Sequence, residues 1–135
     1  MKTHVEFRSD KFPPLLRKEE EINPDLWGKR LAEYLEQKLN AESIETCEMN
    51  PEDWGWVLPI KNDNFSMWIG CGRYQEYPDG YLCFVEPHKP VVRKFFKKVD
   101  TTQKVGQIVE ALNRILTSDS GIRNVRWWEE NEINL

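Results

Sequence analysis

Side chains along residues 44–87 alternate in character, and this two-residue period constrains the fold more than any other feature of the sequence. Because successive side chains of a strand point to opposite faces, the period predicts β-structure. Four segments carry it in chain order: SIETCEM, DWGWVLPI, FSMWIGCGRY and GYLCFVE. Turn-forming residues separate the later segments, NDN at 62–64 and YPDG at 77–80. This region therefore predicts an antiparallel meander.

A first helix is predicted over residues 24–41. Asn23 is a good N-cap, Pro24 suits the first helical position, and Asp25 favours the positive end of the helix dipole. Apolar residues then follow helical spacing: Trp27, Leu31, Tyr34, Leu35 and Leu39. Such a stripe is typical of an amphipathic helix that packs on a core.

A second helix is predicted after residue 100, where Asp100 or Thr101 can cap it and Gln103 can complete a capping box with Asp100. Its apolar stripe is continuous, and TSDSG ends it. The stripe consists of Val105, Ile108, Val109, Leu112, Ile115 and Leu116. HVEF near the N-terminus and IRNVRWW near the C-terminus complete the predicted strands.

Two amphipathic helices and a meander indicate one α+β domain over residues 1–135. We expect an antiparallel sheet of about five strands with both helices packed on one face, a two-layer sandwich. The basic segment 88–99 is ambiguous, since its apolar residues fit a helix while Pro90 can end a strand.

Composition indicates a cytoplasmic protein with no membrane partner. The sequence has no apolar run near the ~20 residues that span a bilayer, and its first residues are too charged for a signal peptide. With 23 acidic and 19 basic side chains, the net charge of −4 disfavours general nucleic-acid binding. A monomer and a homodimer are both compatible with these totals.

Cysteine and histidine usage predicts neither a metal nor a cofactor. Cys47, Cys71 and Cys83 are odd in number and lack CxxC spacing, so they are expected to be reduced thiols. No phosphate-binding glycine motif or HExxH sequence is present.

Tryptophan is abundant, with six residues in 135. In a strand, Trp54 and Trp56 would share one face, and Trp68 of the next segment could stack with either. These rings could form core, or they could form an exposed surface above the gap left by Gly70 and Gly72. We take the aromatic surface of Trp54, Trp56 and Trp68 as the predicted partner-binding site.

Two other groups of residues are candidate sites. A ligand pocket is possible near Cys71, Tyr74 and His88, because a catalytic thiol needs a base such as histidine to lower its pKa. The second group is positively charged and interleaved with Phe95 and Phe96, which could bind an anion or single-stranded nucleic acid, or form a solvated helix face. It comprises Lys89, Arg93, Lys94, Lys97 and Lys98.

Several motifs together resemble an uncharacterised family of small bacterial proteins with no known activity. They span nearly the whole chain: NPDLWGKRLAEYL, EDWGWVLPI, WIGCG.Y, YPDGYLCFVEP and DSGIRNVRWW. In size, acidity and tryptophan content the chain is also loosely similar to toxin-immunity proteins. The resemblance implies no catalytic residues.

These observations predict a small, non-catalytic binding protein whose partner is another protein, in an immunity-like or regulatory role. An enzyme or small-ligand protein with a pocket near Cys71 and His88 is one alternative. Weak single-stranded nucleic-acid binding through residues 89–98 is the other.

Overall fold

The computed structural model describes residues 1–13 and 27–133, and this part of the chain forms eight strands and two α-helices. The strands are β1 (His4–Ser9), β2 (Asn50–Glu52), β3 (Gly55–Ile60), β4 (Met67–Arg73), β5 (Gly80–Glu86), β6 (Val91–Lys94), β7 (Lys97–Asp100) and β8 (Ile122–Trp128). The helices are α1 (Lys29–Ala41) and α2 (Thr102–Ser118), and a short 3-10 helix covers Glu130–Glu132. The predicted α+β class is confirmed.

Six strands form the main sheet in the order β2-β3-β4-β5-β1-β8, and every neighbouring pair is antiparallel. The predicted meander accounts for β3, β4 and β5, while β1 inserts between β5 and β8. The prediction of about five strands is too low. Residues of SIETCEM make only an isolated bridge, Thr46 to Ile60, and the edge strand β2 begins after them.

The ambiguous segment 88–99 forms neither a helix nor part of the main sheet. Strands β6 and β7 pair as a separate antiparallel hairpin, with Phe95 and Phe96 as its two turn residues. Val92 and Val99 pair across it and pack against the main core. The helical spacing of its apolar residues is therefore misleading, because β-strand pairing places the same valines side by side.

One face of the main sheet carries the hydrophobic core. Strand pairing aligns Trp56, Cys71, Cys83 and Val5 in a single row, so these side chains share that face. They are buried together with the apolar stripes of α1 and α2, such as Leu35 and Leu112. We call this side the covered face and the other side the open face.

Both predicted helices form, and α1 ends at Ala41 as predicted for the range 24–41, but it begins later than predicted because Trp27 and Gly28 form a turn. Helix α1 begins at Lys29, after Gly28, whose φ of 97° lies in the left-handed region. The predicted start at Asn23, Pro24 and Asp25 lies outside the described residues. Helix α2 begins without the predicted capping box: the Asp100 carboxylate accepts hydrogen bonds from the backbone amide (2.8 Å) and the hydroxyl (2.5 Å) of Thr102.

Candidate binding surfaces

Trp54 and Trp56 lie on different sides of the sheet. Trp56 belongs to β3, points to the covered face and is only 8% exposed, whereas Trp54 lies in the β2–β3 turn and is 43% exposed. The prediction of a common face is wrong because strand alternation does not extend through a turn. Gly55, with a φ of 156°, redirects the chain between the two rings. Trp56 therefore belongs to the core and not to a partner-binding surface.

Three aromatic rings lie together on the open face, and we call Trp54, Trp68 and Phe84 the aromatic platform. The Trp54 and Trp68 rings stack with their centroids 6.1 Å apart. Phe84 contacts both, with centroid distances of 5.0 Å to Trp54 and 5.7 Å to Trp68. Each ring restricts the rotation of the other two, so contacts with Trp68 and Phe84 hold the exposed indole of Trp54 in place.

Two glycines of β4 allow this arrangement. A Cβ atom at Gly70 would lie 2.3 Å from Cζ of Phe84, and one at Gly72 would lie 2.7 Å from the carbonyl oxygen of Trp54. The predicted gap above Gly70 and Gly72 is therefore occupied by the platform itself. Phe84 was missed by sequence reasoning, because its position directly opposite Gly70 depends on the β4–β5 register, which the sequence pattern does not specify.

Two histidines border the platform on the open face. The His4 ring stacks on Phe84 at 5.3 Å and lies 6.4 Å from the ring of His88. His88 Nδ1 is 2.9 Å from a carboxylate oxygen of Glu86. Burial lowers the pKa of His4, an effect partly opposed by the nearby charge of Glu86. The aromatic platform is thus bordered by the two histidines on one side and by the exposed edge strand β2 on the other.

The predicted pocket near Cys71, Tyr74 and His88 does not form. Cys71 is buried on the covered face, while His88 lies with His4 beside the open face. Tyr74 follows β4 and His88 follows β5, and because these neighbouring strands are antiparallel, the two residues lie at opposite ends of the strand pair. Spacing along the chain could not reveal this, because the strand register determines which residues meet.

The residue opposite Cys71 is a second cysteine and not a base that could activate its thiol. Cys71 lies directly opposite Cys83 in the β4–β5 register, and both thiols are buried. Burial raises the pKa of the Cys83 thiol, and its hydrogen bond to Cys71 acts in the same direction. An activated nucleophile needs the reverse shift, so Cys83 has the properties of an inert core thiol, and Cys71 is buried beside it.

Most of the predicted basic residues surround the tip of the β6–β7 hairpin. We define the hairpin tip as Phe95 and Phe96 together with four cations that are all exposed: Arg93, Lys94, Lys97 and Lys98. Phe95 is 85% exposed and Phe96 is fully exposed. Lys89 lies outside this group, before β6, where its carbonyl oxygen accepts a hydrogen bond from the Thr101 hydroxyl (2.5 Å).

An open cleft of about 570 Å³ lies between the helices and was not predicted. Asp119 on its wall accepts hydrogen bonds from the Tyr34 hydroxyl (2.6 Å), Lys11 Nζ (2.6 Å) and the amide of Gly121 (2.8 Å). The bond from Lys11, followed by that from Tyr34, lowers the pKa of Asp119 to about 2. The carboxylate is thus fully engaged in joining α1, α2 and the segment after β1.

Within residues 1–13 and 27–133, no group of three or more histidine, cysteine, aspartate or glutamate side chains is placed to hold a metal ion. No helix in that same part of the chain is long and apolar enough to cross a membrane. No known protein family, curated protein or solved structure matches the chain.

Proposed function

We propose that this chain is a small, cytoplasmic, non-catalytic protein that binds another protein through the aromatic platform on the open face of its sheet. The observation that carries the proposal is Trp54, which is 43% exposed yet held by ring contacts to Trp68 and Phe84. A large exposed ring that is already fixed loses little conformational entropy on binding. Tryptophan is also among the residues that contribute most binding energy at protein interfaces.

The shape of the surface favours a protein over a small molecule. Small-molecule sites are concave and bury most of the ligand. The platform instead consists of rings that lie on an open sheet face, and none of its three residues lines the cleft between the helices. Beside it, β2 is a short edge strand with every residue exposed, which would extend the contact area.

An immunity-like or regulatory role remains our proposal for the biological setting of this contact. The opposing interpretation as a cysteine enzyme lacks support, because Cys71 and His88 lie on different sides of the sheet. A toxin gene beside the gene for this chain would favour the immunity role. An unrelated neighbour would favour regulation.

The proposal is tested by comparing the variants Trp54→Ala and Trp68→Ala with the wild type in affinity capture from the source organism. We expect a protein that the wild type retains and both variants lose. With that protein purified, isothermal titration should show binding at least about tenfold weaker for Trp54→Ala, the effect of losing roughly 1.4 kcal/mol of contact energy.

The matched control is Trp127→Phe, which changes a tryptophan that packs against the covered-face core. This variant should bind the purified partner like the wild type. Equal affinity for the wild type and for both platform variants would contradict the proposal. Acrylamide quenching supplies a separate check, since Trp54→Phe should remove more quenchable fluorescence than the buried substitution Trp56→Phe.

A further inference from the structure

The hairpin tip breaks several local rules of protein stability at one place. Phe95 and Phe96 have φ angles of 51° and 66°, a left-handed conformation that bulky side chains rarely adopt. Hairpin turns of this kind favour asparagine and glycine. Folding places both rings in water, where Phe95 is 85% exposed and Phe96 fully so. Within residues 1–13 and 27–133, no burial of these two phenylalanines explains why they occupy the turn.

Electrostatics in the hairpin are unfavourable as well. Strand pairing places Arg93 directly opposite Lys98, and Lys94 directly opposite Lys97. Like charges at directly paired positions destabilise a hairpin. The tip thus combines backbone strain, exposed apolar rings and charge repulsion, all of which lower stability. Such a combination at one site indicates a function other than stabilising the fold.

The two cation pairs lie on opposite faces of the hairpin. Lys94 and Lys97 share the side of Val92 and Val99, which pack against the core, whereas Arg93 and Lys98 project from the outer side. Lys94 Nζ also donates a hydrogen bond to the carbonyl oxygen of Asp63 (3.2 Å). Positive charge therefore surrounds the tip on both sides, with the apolar rings projecting beyond it.

From this arrangement we propose that the hairpin tip is a membrane anchor, which inserts Phe95 and Phe96 into an anionic lipid surface while the four cations contact the headgroups. Strand geometry places the cation pairs roughly 3 and 7 Å behind the turn. Interfacial segments bury their apolar residues about 5–10 Å into the boundary between headgroups and acyl chains. With the rings at that depth, the cations lie at the level of the headgroups.

The charge distribution favours a lipid surface over the other anionic partners. A nucleic-acid strand or an acidic protein would contact one side of the hairpin. A hairpin tip that inserts perpendicular to a membrane surface has headgroups on both of its sides, which matches cations on both sides. The chain as a whole carries a net charge of −4, which an anionic surface repels. Approach with the hairpin tip first is thus the favoured orientation. This contact needs no membrane-spanning segment, and it departs from the expectation of no membrane partner.

The test is flotation of the full chain with vesicles of phosphatidylcholine alone and of an equimolar mixture with phosphatidylserine. We expect binding to the anionic vesicles only, with affinity falling as salt is added. Each cation near an anionic surface contributes about fivefold in affinity, so Arg93→Gln with Lys98→Gln should weaken binding by about 25-fold at low salt. The charge-matched control, Lys2→Gln with Lys38→Gln, removes two exposed lysines outside the hairpin and should bind more tightly than the tip variant.

The decisive variant is Phe95→Asn with Phe96→Gly, which supplies residues that suit the turn. We expect it to lose vesicle binding and to unfold at a higher temperature than the wild type, because the strain is relieved. Loss of binding can then not be attributed to misfolding. Wild-type affinity in this variant would overturn the proposal. So would wild-type protein that ignores anionic vesicles but shifts single-stranded oligonucleotide through the same tip.

The platform variant Trp54→Ala separates this proposal from the proposed function. It should retain vesicle binding while losing the protein partner. Loss of vesicle binding in Trp54→Ala with none in the Phe95, Phe96 variant would assign the lipid contact to the platform and overturn the tip as anchor.

Discussion

The two faces of the main sheet use aromatic and aliphatic side chains in different ways. On the covered face, Leu58 and Ile69 are completely buried by two helices. On the open face, Trp54, Trp68 and Phe84 contact one another and remain partly exposed. Large rings that pack side by side on a sheet can keep their positions although neither α1 nor α2 covers them. The comparison teaches that a sheet face can be ordered and still available for binding.

Truncation should affect the two faces unequally, and this gives the largest expected effect. Ile69→Ala removes a fully buried side chain in a central strand and should lower the free energy of unfolding by about 2–5 kcal/mol. Trp54→Ala removes a larger but exposed ring and should cost only about 1 kcal/mol. Urea denaturation measures both. Equal losses would show that the open face contributes to the core.

Gly70→Ala tests whether the open face is ordered by its own packing. The added methyl would meet the Phe84 ring at 2.3 Å, and neighbouring rings limit how far Phe84 can move. We expect a loss of about 1–3 kcal/mol with a changed near-ultraviolet circular dichroism spectrum. Phe84→Leu should partly rescue Gly70→Ala, so a double variant whose losses simply add would argue against this contact.

Asp119, between the two helices on the covered face, should make the stability of the fold sensitive to acid. Its pKa is about 2 in the folded chain and 3.8 as the ordinary value, so the folded state binds the proton more weakly. This stabilisation is complete above about pH 4 and is lost as the pH falls through about 2. Asp119→Asn should cost about 1–2 kcal/mol at neutral pH and flatten the pH dependence of stability in that window. A wild-type profile in the variant would assign the acid sensitivity to other carboxylates.

Thiol reactivity tests the burial of the covered face without any substitution. Cys47 is exposed, whereas Cys71 and Cys83 are buried in the covered-face core. A thiol reagent at neutral pH should modify one cysteine rapidly and the other two only after denaturant is added. Rapid modification of Cys71 in the folded chain would contradict our view that it is inert.

The sequence predicted those elements that depend on local period. Helix α2 and strand β8 lie where their apolar patterns place them, at Thr102–Ser118 and Ile122–Trp128. Prediction failed where pairing between distant residues decides the outcome. The packing of Phe84 over Gly70 and the separation of Cys71 from His88 follow from strand register, which alternation alone does not specify.

The hairpin shows a different limit of sequence reasoning. Its basic and aromatic composition is evident in the sequence, but the spacing of its apolar residues fits a helix as well as paired strands: Val92, Phe95, Phe96 and Val99. Strand pairing with two phenylalanines in the turn is the choice that local propensity disfavours. Two phenylalanines with positive φ angles depart from the propensity rules on which prediction from sequence depends.

The position of β1 between β5 and β8 has a consequence for how the sheet forms. Val5 pairs with Cys83 on one side and with Trp127 on the other, so both neighbours of β1 lie far after it in the chain. Contacts so distant in sequence slow folding, and an unpaired strand edge invites association with other chains in the meantime. The main sheet is therefore complete only after β8 has been synthesised.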